Sequence, residues 1–307
     1  MTNENDFERS NVMEKIKIIY NPNSGRQIAQ KKIPNLIEIL KENNYDVDVF
    51  PTEKQFDAVS AASNACKDHY DIIISIGGDG TVNEVVNGIM SNEYRPKLAI
   101  YPAGTVNDFA NYLQIPRSME DFANIVMKKN TIKADVGLGG DRYFLNVAAA
   151  GLLTDVAYKV SSESKTVLGK FAYYLEGIKE IPKQIFKPIK IQIKYGNIEE
   201  EKDVLFFILA NSASVGGFKF IAPEASINDG KFDLLIVGKN ELINAAGIFV
   251  KSLVGNYTKH QNLQYLQVDS LIVECNEDVF VDLDGEQAGK LPMSFKIVNH
   301  AIEIIIP

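Results

Sequence analysis

Cysteine, histidine and long apolar runs are scarce in this sequence, and each scarcity removes a class of protein. The 307 residues include two cysteines, Cys66 and Cys275, too few and too far apart for a disulfide framework or a cysteine-based metal site. The three histidines follow no zinc-binding spacing. No apolar run approaches the roughly 18 residues that a membrane-spanning helix needs. Disulfide-rich, zinc-dependent and membrane-spanning proteins are therefore not expected.

Several missing signals and motifs narrow the class further. Residues 1–14 are polar and acidic and lack the apolar core of a secretory signal, so we expect a flexible tail on a cytoplasmic protein. The net charge of -8 argues against nucleic acid as a partner. No G-x-G-x-x-G follows the first predicted strand, which argues against a dehydrogenase, and no G-x-S-x-G supports a hydrolase.

The most informative stretch is a glycine turn within residues 72–88. A β-branched run over 72–76 predicts a buried strand, and three glycines follow it within four residues. Thr81 can then cap a helix, with Glu84 three residues later as a capping box requires. Backbone N–H groups and the positive end of the helix dipole would converge at this turn, which favours phosphate binding. A tight turn with nothing bound is the alternative.

The first half of the chain alternates strands and helices. The predicted strands are 16–20, 47–50, 72–76 and 98–101, each followed by helical sequence. This alternation predicts a parallel sheet with helices on both faces. Polar loops follow these strands, at the edge of such a sheet where ligands bind. Taken alone, the loop after residue 20 also fits a plain turn, Thr52 a helix N-cap, and Asn107 and Asp108 helix caps.

Strands dominate from about residue 136, after Asp135. They are predicted at 143–149, 189–195, 204–211, 232–237, 270–274, 278–282 and 293–306. Several alternate polar and apolar residues, which indicates an antiparallel β-sandwich. The lysine-rich segment 152–188 interrupts them with helical sequence. Its apolar face would pack either on the core or on an anionic membrane surface.

Two short polar segments near the end of the chain can carry chemistry. Asn228-Asp229-Gly230 reads as a turn from its residues alone. Asp282, Asp284 and Glu286 would share one face if their strand continued, and a turn at Gly285 would break that alignment. A surface hairpin without a chemical role is the alternative for this second segment.

These motifs together resemble one family. The run from Gly77 to Gly88 resembles the nucleotide-binding motif of the diacylglycerol kinase catalytic domain. The loops beginning at Asn21 and Gly104, and the Asp284-Gly285-Glu286 segment, are similar to further motifs of bacterial soluble lipid kinases. The resemblance runs from about Ile16 to the carboxyl terminus. It implies an α/β domain like those of NAD kinases and phosphofructokinases over 15–135, joined by about 295–307, and a β-rich lipid-substrate domain over 136–294.

The resemblance also implies roles for individual residues. Nucleotide contacts would come from Asn21, Pro22, Asn23, Ser24, Gly25, Thr52, Gly77, Gly78, Asp79, Gly80, Thr81, Val82, Asn83 and Thr105. A structural Mg²⁺ would be held by Asp229 and by the carbonyls of Ser226 and Lys231. Glu286 would be the general base, while Asp284 would support it or bind a catalytic Mg²⁺. Asp108 would lie at the cleft. Asp135 is placed there by its position instead, at the junction where the pattern changes, and there it would bind metal or nucleotide.

The activity implied is ATP-dependent phosphorylation of diacylglycerol to phosphatidic acid with Mg²⁺. ATP would lie between the domains, the acyl chains would enter the β-rich domain, and the protein would reach its lipid peripherally at a membrane. Segment 152–188 is the candidate contact if its apolar face does not pack on the core. Edge strands suggest a homodimer. One alternative is an NAD kinase, which shares Gly-Gly-Asp-Gly-Thr, although no downstream Asn-Glu pair suited to NAD is found. The other is a non-catalytic lipid-binding regulatory homologue.

Overall fold

The computed structural model describes residues 13–151, 188–213, 222, 224–238 and 264–307. The predicted tail, except for residues 13 and 14, and the predicted helical segment 152–188, except for residue 188, lie outside the described residues.

The chain forms two compact units. The first consists of residues up to Thr105, Gln114–Ile132 and Glu303–Pro307. The second consists of Val106–Leu113 and Lys133–Ile302. The last residues of the chain therefore return to the first unit.

A parallel sheet forms the centre of the first unit. Its strands are β1 Glu14–Tyr20, β2 Tyr45–Pro51, β3 Ile72–Gly77 and β4 Lys97–Pro102. They are parallel and lie in the order β4-β3-β1-β2, so the β-branched strand β3 is central and buried along its whole length. Ile304 pairs in parallel with Leu98, which adds the end of the chain beside β4.

Helices alternate with these strands, as the sequence predicts, and the α/β class of this unit is confirmed. They are α1 Ile28–Glu42, α2 Asp57–Lys67, α3 Asp79–Met90 and α5 Met119–Lys128, with α4 Asp108–Tyr112 in the second unit. Gly88 allows α2 and α3 to pack closely, because a Cβ there would lie 2.4 Å from the carbonyl oxygen of Val59. Within the described ranges, every helix is too short or too polar to cross a membrane.

One polar side chain in the central strand has a cost in stability. Ser75 is fully buried, and its Oγ has no hydrogen-bond partner in the described part of the chain. We expect Ser75→Ala to raise the free energy of unfolding by about 1–2 kcal/mol, because it removes an unsatisfied buried group. Urea denaturation measures this. Ser212→Ala is the matched control, since the Ser212 Oγ donates to Asn146 Oδ1 at 2.8 Å and its removal should destabilise. A loss of stability in Ser75→Ala would contradict the expectation.

The second unit is antiparallel. Its strands are β5 Thr131–Gly139, β6 Arg142–Phe144, β7 Val147–Gly151, β8 Ile189–Tyr195, β9 Ile198–Ala210, β10 Phe232–Gly238, β11 Gln264–Val268, β12 Ser270–Cys275, β13 Phe280–Leu283, β14 Glu286–Lys290 and β15 Met293–Ile305. The long strand β9 pairs with β8 along its first half and lies between β7 and β10 along its second half. The predicted antiparallel β-sandwich is confirmed.

Aromatic rings pack among the aliphatic side chains in the core of this unit. The rings of Phe144 and Phe232 stack with centroids 5.4 Å apart, and Phe207 meets Phe295 edge to face at 6.1 Å. Alternate residues of β9 and β10 face this core, including Leu209. The residues between them therefore point to the opposite face of the sheet.

Several strands of this unit differ from the prediction. The predicted strand 143–149 is divided into β6 and β7 by a turn at Leu145 and Asn146. Strands β5, β11 and β14 were not predicted. The last two are edge strands with one partner each among the described residues, so they do not need the apolar alternation that marks a strand with two neighbours.

Candidate active site

The glycine turn joins the central strand β3 to helix α3. Gly78 is the N-cap, with φ -92° and ψ -176°, and its carbonyl oxygen accepts the first helical hydrogen bond from Val82 N at 3.1 Å. The predicted capping box at Thr81 and Glu84 is therefore wrong, because the helix begins earlier, at Asp79. The Glu84 carboxylate instead accepts a hydrogen bond from Ala58 N at 3.2 Å.

Glycine is required on one side of the turn and leaves space on the other. A Cβ on Gly77 would lie 2.4 Å from the Thr81 hydroxyl oxygen, so that side is closed. A Cβ on Gly78 would meet nothing nearer than the Gly104 Cα at 3.4 Å. The backbone at Gly78 is therefore open to a close approach, and the first turn of a helix presents N–H groups that have no acceptor within the helix.

The loops after the other parallel strands converge on this turn through backbone hydrogen bonds. Asn21 N donates to Ile76 O at 3.0 Å, and Thr52 N donates to Tyr20 O at 2.9 Å. Ala103 N donates to Gly77 O at 2.9 Å. The structure thus brings the predicted nucleotide-binding segments 21–25, 52 and 77–83 together at the carboxyl edge of one sheet. Thr105 lies beside them, two residues beyond Ala103, and is exposed.

The side chains of some predicted nucleotide-binding residues are already hydrogen-bonded or buried within the protein. The Asn21 side-chain oxygen accepts from Asn23 N at 2.9 Å, and the Ser24 Oγ donates to Asn21 O at 2.8 Å. Val82 is buried, and buried Asn83 accepts a hydrogen bond from Asn87. These residues would offer mainly backbone groups to a ligand.

Gly25 allows the loop after β1 to contact the loop after β4. Its φ is +55°, and a Cβ there would lie 2.1 Å from the Ala103 carbonyl oxygen. Only glycine fits this position, because both the backbone conformation and the space exclude a side chain.

The predicted cleft residues Asp108 and Asp135 both belong to the second unit. Asp108 is buried at the start of the short helix α4, whose N-cap Asn107 has φ 54° and provides no side-chain cap. The Asp135 carboxylate is fully buried and accepts hydrogen bonds from Gly230 N at 2.7 Å and His300 N at 2.6 Å. Asp135 therefore ties the predicted Mg²⁺ turn to strand β15.

The predicted Mg²⁺ residues form a tight turn. Asp229 Oδ1 accepts from Lys231 N at 3.0 Å, and Gly230 has φ +72°. The Asp229 carboxylate is exposed, and its second oxygen has no protein partner in the described part of the chain. Nearby, burial raises the pKa of the Tyr112 hydroxyl, which also makes a hydrogen bond with the backbone of Ile227. No three His, Cys, Asp or Glu side chains converge as a metal site within the described ranges.

A two-residue hairpin turn separates the three acids near the end of the chain. Strand β13 ends at Leu283, Asp284 and Gly285 have φ values of 53° and 91°, and β14 begins at Glu286. Positive φ at both positions is typical of a hairpin turn of type I′, which favours Asp-Gly. The acids therefore do not share one strand face, and Asp282 is buried while Glu286 is exposed.

The Asp284 carboxylate holds a neighbouring turn. Its Oδ2 accepts from Leu145 N at 2.7 Å, and its Oδ1 accepts from Asn146 N at 2.8 Å and Val147 N at 2.9 Å. Asn211 supports the same turn, because its Nδ2 donates to Leu145 O at 2.8 Å. Asn146 and Asn211 were not predicted to support this turn. Their amides at the ends of apolar strands were the signal that these strands stop there.

Glu286 differs from the other two acids. Its side chain is exposed and makes no hydrogen bond or ion pair within the described part of the chain. The backbone beneath it is fixed, because Leu283 pairs with Glu286 across the turn and Asp282 Oδ1 accepts from Gly285 N at 2.8 Å. An exposed carboxylate that makes no hydrogen bond of its own and is held on a fixed hairpin can accept a proton from a bound alcohol.

An open glycine turn at a helix start is a ready site for phosphate. A diacylglycerol kinase catalytic domain matches residues 15–138, and a YegS C-terminal NAD kinase beta sandwich-like domain matches residues 146–306. A diacylglycerol kinase of Staphylococcus haemolyticus is 38% identical over 95% of this chain and 88% of its own length. One from Staphylococcus aureus is 37% identical over 96% and 93%.

Solved structures agree with these relatives. The crystal structure of a diacylglycerol kinase from Bacillus anthracis superimposes with a TM-score of 0.81 and 26% identity, covering 96% of this chain and 97% of the other. The chain belongs to the diacylglycerol kinase family. It is a lipid kinase, which sets aside the NAD kinase and the non-catalytic alternatives.

Proposed function

We propose that this protein transfers the γ-phosphate of ATP to the primary hydroxyl of diacylglycerol and forms phosphatidic acid. The hydroxyl oxygen forms a bond to the γ-phosphorus, the bond from that phosphorus to the β,γ-bridging oxygen breaks, and ADP leaves. The hydroxyl proton passes to the Glu286 carboxylate. Curated relatives named diacylglycerol kinase support this choice of lipid.

The observation that carries the proposal is the open glycine turn. The N–H groups at the start of α3 and the positive end of its dipole favour the phosphate chain. The space beside Gly78 admits a phosphate against the backbone, since the nearest atom to a Cβ there is 3.4 Å away. Phosphoryl transfer depends mainly on positioning and on stabilising charge, and an amide-lined turn supplies both.

Glu286 acts as the general base, and Asp284 positions it. All three hydrogen bonds given above for the Asp284 carboxylate come from the backbone of residues 145–147, which favours support over metal binding. Glu286 follows two residues later and is unpaired in the described part of the chain, so its carboxylate can accept the hydroxyl proton.

The Asn-Asp-Gly turn suits a hard cation such as Mg²⁺. Asp229 would contribute its exposed carboxylate, and the carbonyls of Ser226 and Lys231 would complete an all-oxygen set with water. Bound there, Mg²⁺ would stabilise the turn that Asp135 holds. A second Mg²⁺ accompanying ATP would neutralise phosphate charge during the transfer.

The acyl chains would bind the β-rich unit on the sheet face that points away from its aromatic core. Small and apolar residues of neighbouring strands share this face and are buried: Val147, Ala149, Phe206, Ile208 and Ala210. Because these side chains are buried, the acyl chains would bind against them inside the fold rather than on an open surface, and burying each CH₂ group there would contribute about 0.8 kcal/mol. The lipid would be reached by peripheral contact with a membrane.

A lipid panel tests the proposed reaction. The purified chain is incubated with γ-labelled ATP, Mg²⁺ and mixed micelles that contain diacylglycerol, monoacylglycerol, a sphingoid base or phosphatidylglycerol. Labelled phosphatidic acid should be the main product. Preferential labelling of another lipid, or release of labelled phosphate alone, would contradict the choice of diacylglycerol.

Gly78→Ala separates phosphate binding from folding. Its φ of -92° is accessible to alanine and the added Cβ meets no protein atom closer than 3.4 Å, so the melting temperature should stay within about 2 °C of the wild type. The methyl group would occupy the space intended for a phosphate, so the Kd for ATP should rise at least about tenfold. Isothermal titration calorimetry measures it. Unchanged ATP affinity would mean that the phosphates do not approach Gly78.

A further inference from the structure

Phe56 is the most exposed phenylalanine or tyrosine in the described part of the first unit. Its relative exposure is 52%, and its φ is 69°, in the left-handed region that bulky residues rarely adopt. It is the N-cap of α2 but provides no side-chain hydrogen bond there. A half-exposed ring on a backbone in the left-handed region is unfavourable twice over, and such positions are often functional.

The loop that carries Phe56 is rigid. Asp57 Oδ2 accepts hydrogen bonds from Glu53 N and Lys54 N, both at 3.0 Å, and these bonds lower the pKa of the Asp57 carboxyl. At the other end of the loop, Thr52 N donates to Tyr20 O at 2.9 Å. The ring is therefore presented by a loop that is braced at both ends.

The position of this loop relates it to the glycine turn. Pro51, Tyr20 and Ile76 lie in one row across β2, β1 and β3, so the carboxyl ends of these strands are level. Two strand spacings, about 10 Å, separate the end of β2 from the end of β3. The ribose and phosphate chain of ATP can span that distance, so a nucleotide with its phosphates at Gly78 can place its base beside β2.

We propose that Phe56 is the stacking platform for the adenine base of ATP. The proposal rests on the proposed kinase function and orients the nucleotide along the carboxyl edge of the sheet, with phosphates over β3 and base over β2. Aromatic rings stack on bases without needing a hydrogen-bond pattern. A braced, half-exposed ring suits this role, because little conformational freedom is lost when the base binds.

The chain contains no tryptophan, so a single introduced tryptophan reports on its own site. In Phe56→Trp, ATP should quench the indole fluorescence in a saturable way, whereas inorganic tripolyphosphate should bind without quenching. Tyr94→Trp is the matched control. Tyr94 is also exposed, at 39%, but it lies between α3 and β4, at the opposite edge of the sheet, and ATP should not change its fluorescence.

Phe56→Gly removes the ring in a residue type that accepts the φ of 69°. We expect the Kd for ATP to rise about tenfold, as the loss of one base–aromatic stack implies, and the Kd for tripolyphosphate to stay unchanged. Equal effects on both ligands, or a silent Phe56→Trp in a protein that binds ATP and phosphorylates lipid, would overturn the stacking role alone. Failure of the wild type to bind ATP would overturn the kinase proposal with it.

A protein partner is the competing explanation for an exposed ring. Val49 on the edge strand β2 is also exposed, at 37%, so the two side chains could instead meet a second copy of the chain. Sedimentation of Phe56→Gly separates these cases. A change from dimer to monomer with unchanged ATP affinity would overturn the stacking role, whereas an unchanged mass with weaker ATP binding supports it.

Discussion

Glu286→Gln is expected to lower kcat for lipid phosphorylation by at least about 100-fold, the scale of a general base. Glutamine keeps the size and hydrogen-bonding reach of the side chain but cannot take the hydroxyl proton. The melting temperature and the Kd for ATP should not change, because Glu286 is exposed and unpaired in the described part of the chain. Steady-state kinetics with saturating lipid, calorimetry with ATP and a thermal melt check the three parts separately.

Glu277→Gln is the matched control for this experiment. Glu277 is an exposed glutamate of the same unit, on the loop between β12 and β13, and its side chain has no partner among the described residues. It should keep the wild-type kcat. If Glu286→Gln also kept it, the hydroxyl proton would have to leave by another route, and Glu286 would have no catalytic role.

The architecture could be predicted because the two halves of the chain carry different periodicities. Buried parallel strands such as β3 are continuous β-branched runs, and half-exposed antiparallel strands such as β8 alternate. Both patterns follow from which faces of the sheet are covered. The edge strand β14 was not predicted for the same reason, since it has one partner among the described residues and no apolar pattern.

Helix starts were predicted less well than strands. Thr81 and Glu84 satisfy the capping-box spacing, yet α3 begins two residues earlier at Asp79. Likewise Thr52 does not cap α2, which begins at Asp57 after Phe56 in a left-handed conformation. Local spacing finds side chains that could cap, but close packing in three dimensions, as at Gly77, decides where the first turn forms.

The partners of the acids could not be predicted, because they are distant in sequence. Asp284 meets the turn at Leu145, which is 139 residues away, and Asp135 meets His300, which is 165 residues away. The sequence shows that Asp282, Asp284 and Glu286 lie near one another along the chain. Only the fold shows that the hairpin turn leaves Glu286 exposed while Asp284 is tied to backbone amides.

Removal of the Asp284 carboxylate should have the largest effect on stability. Asp284→Ala loses three hydrogen bonds from Leu145 N, Asn146 N and Val147 N and also places alanine at a φ of 53°. We expect a loss of about 2–4 kcal/mol in the free energy of unfolding, because buried amides are left without acceptors. Urea denaturation followed by far-ultraviolet circular dichroism measures this loss.

Two further variants divide that loss into its causes. Asp284→Gly relieves the positive φ but lacks the carboxylate, so its difference from Asp284→Ala measures backbone strain. Asp284→Asn tolerates the positive φ and keeps one acceptor oxygen for Asn146 N and Val147 N, so it should be the most stable of the three. Its kcat should still fall, because the hairpin that carries Glu286 is held less firmly, while ATP affinity should be kept.

Wild-type stability in Asp284→Ala would show that the carboxylate does not hold the turn. A selective loss of Mg²⁺–ATP affinity in Asp284→Asn would instead assign Asp284 to the metal, since a residue that only positions the hairpin has no reason to change nucleotide binding.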